Sequence, residues 1–131
     1  MNNFIYISVI YLIIDILWIY FMTPMLYQNV FDKIQKSPMK ANMYYAVLAY
    51  IVLLLVIFKI CIPLSKSYKK HKWFAFTLVG FSIYSIYNLT NAVTFNDYPL
   101  KMIIIDSIWG SSVFTLLGVL YLSLEKYKTQ G

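Results

Sequence analysis

Arginine is absent from this 131-residue chain, which also has a single cysteine, a single histidine and only five acidic residues. Each shortage excludes something. Without arginine the chain lacks the planar fork of donors that grips phosphates and base edges in pairs. Its net charge of +6 is carried by lysine alone, in short segments between apolar runs, so nucleic acid is excluded as a partner. Cys61 has no second cysteine for an internal disulfide, and reads as a buried apolar residue. The lone histidine, His71, lies in the basic stretch Lys69-Lys70-His71-Lys72 and has no companion ligands for zinc. No nucleotide loop, Ser-x-x-Lys or histidine-box pattern occurs. No catalytic residue, metal ligand or cofactor is therefore assigned. Charged residues make up 12% of the chain, about half the share usual in a soluble domain. Eleven basic and five acidic side chains are too few to cover a small globule, whose surface is large for its volume. A soluble globule, a disordered chain and a disulfide scaffold are all excluded.

What is abundant is apolar: 61% of residues are hydrophobic, and mean hydropathy is +0.68. Four runs hold most of them, at about 4–22, 43–63, 73–94 and 100–124. About 20 helical residues cross a hydrocarbon core about 30 Å thick, and in lipid the backbone must satisfy its own hydrogen bonds, which favours helices. Pro24, Pro38, Pro63 and Pro99 fall at or beyond the ends of the runs, where helix breakers belong. The expectation is an all-α, four-helix transmembrane bundle, one integral membrane domain over residues 1–131, with the lipid bilayer as its partner. The first run lacks a basic n-region and a small-x-small cleavage site, and carries Asp15 in its middle, so it is expected to be a mature transmembrane helix rather than a signal peptide.

After Pro24, Leu26, Tyr27, Val30, Phe31 and Ile34 share one helical face, with polar residues on the other. This pattern predicts a short amphipathic helix between the first and second spans, lying on the outer membrane surface or packed over the bundle mouth. With four spans both termini share a side. That side holds Lys66, Lys69, Lys70, Lys72, Lys126 and Lys128, whereas Lys33, Lys36, Lys40 and Lys101 lie on the other. The bias places both termini in the cytoplasm.

Polar residues inside the runs carry the functional reading. A carboxylate near mid-bilayer costs roughly 2.5 kcal/mol or more, so such groups face a bundle interior and mark sites. Asp15 and Trp18 lie in the first run, Asn88, Thr90 and Asn91 in the third, and Asp106 and Trp109 in the fourth. Ser8, Tyr11, Asp15, Trp18 and Met22 step by three and four residues, as do Thr77, Gly80, Tyr84, Asn88 and Asn91. These are the expected inward faces. Counted from the outer ends of their helices at 1.5 Å per residue, Asp15, Asn88 and Asp106 all fall roughly 10 Å deep. One polar pocket in the outer half of the bundle is expected, with Asn42, Tyr44 and Tyr45 opening the second helix above it. The plain alternative is that these groups only hold helices together.

Tyr87-Asn88-Leu89-Thr90-Asn91, then Tyr98-Pro99, then Asp106-Ser107-Ile108-Trp109-Gly110, together with Asp15-Ile16-Leu17-Trp18, resemble the membrane proteins of the domain of unknown function family 2177. The resemblance covers almost the whole chain and implies a multi-pass, four-helix protein with no established activity. Asn88 stands where the family pattern carries Asp, which removes a titratable group, and Tyr98 stands where it carries Trp.

Three functions fit this reading. The first is a small transporter or channel-like component, in which the polar layer takes a cation or small polar solute and a homo-oligomer supplies more enclosed space. The second is a membrane-embedded enzyme modifying a lipid, with the two carboxylates as acid and base. The third is a structural or accessory subunit without a site.

Overall fold

The computed structural model describes residues 2–130, and every regular element among them is a helix. Four helices follow one another. α1 spans Asn3–Gln35, α2 Met43–Ser67, α3 Phe74–Thr94 and α4 Leu100–Gln130. α1, α2 and α4 are long and apolar enough to cross a membrane. α3 has 21 residues, which is length enough, but Thr77, Ser82, Ser85, Asn88, Thr90 and Asn91 dilute its hydropathy, and it is not among those three.

α1 and α2 both run past the ends expected from their prolines. Pro24 and Pro63 lie inside continuous helix. A proline has no N–H, and its ring strikes the carbonyl four residues back. In both helices a wider π-helical turn accommodates it: Thr23–Tyr27 around Pro24, and Ile57–Cys61 just before Pro63. The Gln28 N–H reaches back to the Thr23 carbonyl and the Ile62 N–H to the Ile57 carbonyl, bonds one residue longer than the α-helical step. The amphipathic stretch Gln28–Gln35 is α-helical and follows on from the wider turn without a break, so α1 runs through to it. It stops at Lys36, which turns into the left-handed region at φ 54°. α2 then starts at Asn42, whose side chain accepts the Tyr44 N–H at 3.1 Å.

α3 and α4 form the tightest pair. A Cβ on Gly80 would strike the Gly110 carbonyl and the Phe114 side chain, and one on Gly110 would enter the Tyr84 ring. Small residues let helix backbones approach this closely, and the Thr77 and Thr115 hydroxyls bond across the seam at 2.5 Å. α1 packs along α4. Ile7, Tyr11, Ile57, Cys61, Phe76 and Phe114 share one core, to which α2 contributes from its Ile57–Cys61 turn. The preceding part of α2, Met43–Val56, has no buried residue.

Asn2 and Phe4 share a cleft with Phe58, Ile62, Tyr121 and Glu125. Lys69, Lys72 and Trp73 lie against Leu122 and Lys126. Residues 2–4, the α2–α3 loop and the end of α4 are thus gathered at one end of the bundle. The last turns of α1 cover the other end, where Val30, Phe31 and Ile34 pack on Leu26, Tyr98 and Met102.

Candidate functional site

The polar layer is assembled from all four helices. On the Asn3–Met22 part of α1 the buried residues are Ile7, Ser8, Tyr11 and Asp15, one face at helical spacing. On α3 they include Gly80, Ser85 and Asn88. Asp15 and Asp106 are 5% and 6% exposed.

Each carboxylate accepts a hydrogen bond on both oxygens. The Trp109 indole N–H donates to Asp15 Oδ1 at 3.0 Å, and the Tyr50 hydroxyl to Asp15 Oδ2 at 2.9 Å. Asp106 Oδ1 takes the Tyr27 hydroxyl at 2.5 Å, and Oδ2 takes the Asn88 amide N–H at 3.1 Å. Behind these donors stands a further rank. The Trp18 indole donates to the Tyr27 oxygen at 2.7 Å, and the Tyr98 hydroxyl donates to Asn88 Oδ1 at 2.7 Å. Tyr98 lies in the α3–α4 connection, where burial raises its hydroxyl above the usual phenol range and keeps it a donor. Asn88 is turned by its own helix, since its amide also donates to the Tyr84 carbonyl at 2.8 Å. The Trp18 and Trp109 rings stack with centroids 4.1 Å apart and planes 5° from parallel, tying the Asp15 set to the Asp106 set.

These groups surround a cavity of about 330 Å³, whose wall includes Asp15, Trp18, Tyr27, Tyr84, Asp106 and Trp109. No lysine or histidine lines it. Ligand cavities run from about 300 to 1,000 Å³, so this one suits a small guest. Two of the four partners, the Trp109 indole and the Asn88 amide N–H, can only donate, and the Tyr27 and Tyr50 hydroxyls complete the set. One turn from Asp15 the Tyr11 hydroxyl is buried without a hydrogen-bond partner, with Tyr84, Asp15 and Tyr50 as its polar neighbours.

Of the seven residues expected in the layer, Asp15, Trp18, Asn88, Asp106 and Trp109 are brought together. Thr90 is not: it is exposed, and its hydroxyl bonds the Ile86 and Tyr87 carbonyls of its own helix. Asn91 is half-buried and does not line the cavity. Tyr44 and Tyr45 are 69% and 65% exposed and stand away from it. Conversely, Tyr27, expected only on the amphipathic face, and Tyr50, not expected in the layer, bond directly to the carboxylates. Tyr27 has a specific reason. At 3.6 residues per turn, twelve residues place it about 120° round the helix from Asp15. The wider turn Thr23–Tyr27 lags the α-helical advance and swings it back toward that face. Tyr50 lies in the wholly apolar stretch 47–53, so nothing in the sequence around it marks it.

A family model described as "Predicted membrane protein (DUF2177)" matches residues 1–122. No curated protein and no solved structure matches the chain.

Proposed function

The chain belongs to this family of predicted membrane proteins, and on that premise we propose that it crosses the bilayer four times and binds a small cation or cationic solute in the outer half of the bundle, as a transporter- or channel-like component. One observation carries the reading. Asp15 and Asp106, from different helices, face one cavity with no cationic side chain on its wall. Two buried carboxylates without a counter-charge are costly in a membrane, and a bound cation offsets that cost. The stacked indoles and the tyrosine faces add favourable quadrupoles for a positive guest.

The four-span arrangement is supported by where α3 keeps its polar groups. Asn88 and Ser85 are buried, whereas Leu78, Phe81, Ile86, Leu89 and Val93 face outward. Its exposed hydroxyls, those of Ser82, Thr90 and Thr94, bond carbonyls of the same helix, as a hydroxyl in lipid must. The lysines gathered at the end that holds residues 2–4 support a cytoplasmic placement of both termini. The final part of α1 then lies at the outer interface and roofs the cavity.

The test is direct. In liposomes carrying the protein, labelled ethylammonium is taken up and bound by wild type, and Asp106→Asn binds it roughly tenfold more weakly and takes up correspondingly less while keeping its unfolding midpoint. Equal uptake and binding by the two proteins overturns the reading. A packing role is the second reading, favoured by the fact that all four carboxylate oxygens already accept a bond. It predicts the reverse outcome: Asp106→Asn lowers the midpoint, and ethylammonium binds neither protein.

A further inference from the structure

The cavity is not closed on every side. α2 joins the core at Ile57 and Cys61, both fully buried, but its Met43–Val56 part has no buried residue. A cleft of about 490 Å³ lies between that part and α3, walled by Leu48, Ala49, Val52, Leu53 and Ile83. All five are apolar, and Leu48 and Val52 are 42% and 57% exposed, so the cleft opens outward. Its floor is different in kind. Tyr84, Tyr87 and Asp106 line both the cleft and the carboxylate cavity. One carboxylate therefore fronts two spaces, one walled by aromatic and polar groups and one by aliphatic groups.

The chemistry of that junction limits its occupant. A plain hydrocarbon chain would suit the aliphatic wall but offer Asp106 no counter-charge beyond its neutral partners Tyr27 and Asn88. A hydrated ion would leave the aliphatic wall unmatched. A phosphate head is disfavoured, because neither space carries a lysine and both contain a carboxylate. An alkyl chain ending in an ammonium matches all three surfaces: aliphatic wall, aromatic faces and carboxylate. We infer that the ligand of the cavity is a membrane-borne long-chain amine that enters sideways from the bilayer through the α2–α3 cleft, its chain lying along Ala49 and Val52 and its ammonium at Asp106. This rests on the cavity being a cation site and names the class of cation.

The test uses nanodiscs holding the full chain with Trp73→Phe, so that Trp18 and Trp109 are the emitting indoles. The probes are dodecylamine brominated near its head, dodecanol brominated alike, and ethylammonium. The brominated amine is expected to quench the indoles saturably, whereas the alcohol quenches without saturation. Ala49→Phe, which fills an exposed position in the cleft, is expected to weaken the amine roughly tenfold, and Asp106→Asn by at least as much, in line with the loss of a charge-assisted contact. Ethylammonium, followed by the rise it gives in the unfolding midpoint, should stabilise wild type and Ala49→Phe equally. If ethylammonium binds but the amine curves of wild type and Ala49→Phe coincide, sideways entry is wrong and the cation cavity stands. If neither amine binds, the cavity reading falls and takes this inference with it. If Ala49→Cys cross-links two chains at every lipid-to-protein ratio and the long amine fails to quench, the cleft belongs to a second copy and the inference is overturned.

Discussion

Toward the gathered ends of the bundle, α3 and α4 meet through Gly80, Gly110 and Gly118, with Ile7, Ile57, Phe76 and Phe114 filling the adjoining space. Toward the other end, α2 stands off α3, a cavity and a cleft remain between helices, and the contacts that hold the layer are hydrogen bonds to two carboxylates. The contrast separates two tasks. The seam fixes the backbone where no side chain could be added, so the other half keeps room for a guest. Dense packing gives stability and shape; the carboxylate layer is bonded instead through three aromatic side chains and the Asn88 amide.

The comparison can be broken first at the seam. Gly110→Leu drives a side chain into the Tyr84 ring and is expected to cost about 3 kcal/mol, read as a fall in the unfolding midpoint in detergent; an unchanged midpoint would mean that the seam is not what holds the fold. Asp106→Asn comes next and works the other way. Its midpoint should stay within about 1 kcal/mol of wild type, since membrane hydrogen bonds are individually weak, while ethylammonium affinity drops roughly tenfold with the lost charge. Tyr27→Phe removes a donor to Asp106 and the acceptor of Trp18. A weakening worth about 1 kcal/mol is expected in the same titration, with a shift in Trp18 emission. Tyr50→Phe takes one donor from Asp15, for about 0.6 kcal/mol, measurable as a small loss of stability. Thr90→Ala sharpens the boundary of the site, because its hydroxyl serves only its own helix. It should change neither binding nor midpoint by more than about 0.5 kcal/mol.

The bounds of α3 and the starts of α2 and α4 were legible from the apolar runs, because a segment of that length and hydropathy leaves the backbone little choice. The far ends of α1 and α2 were not, because proline was taken as a stop, and a π-helical turn lets a helix carry one. Stripe counting found Asp15 and Asn88, whose short side chains point where their Cα positions dictate. It took in Asn91 by the same spacing, although that residue does not line the cavity. Tyr27 is marked only as part of the amphipathic face, and Tyr50 is hidden in an apolar run, because a phenol carries its hydroxyl at the tip of a long ring and can pack as an apolar group while reaching a distant acceptor. The contrast in polarity between α3 and its neighbours was visible as a string of Ser, Thr and Asn, but not that the hydroxyls among them would fold back on the helix itself.

The bond from Trp109 to Asp15 joins residues 94 apart in the chain, whereas Asn88 and Asp106 are separated by 18. During synthesis, Asp106 therefore emerges just after a partner already in place. Asp15 emerges early and waits. At about 5–20 residues per second, the interval before Trp109 appears is roughly 5–20 seconds. Through that interval α1 sits in the bilayer with its carboxylate met at most by Tyr50. α1 is thus made well before α4, and the arrival of α4 completes the bonds to Asp15.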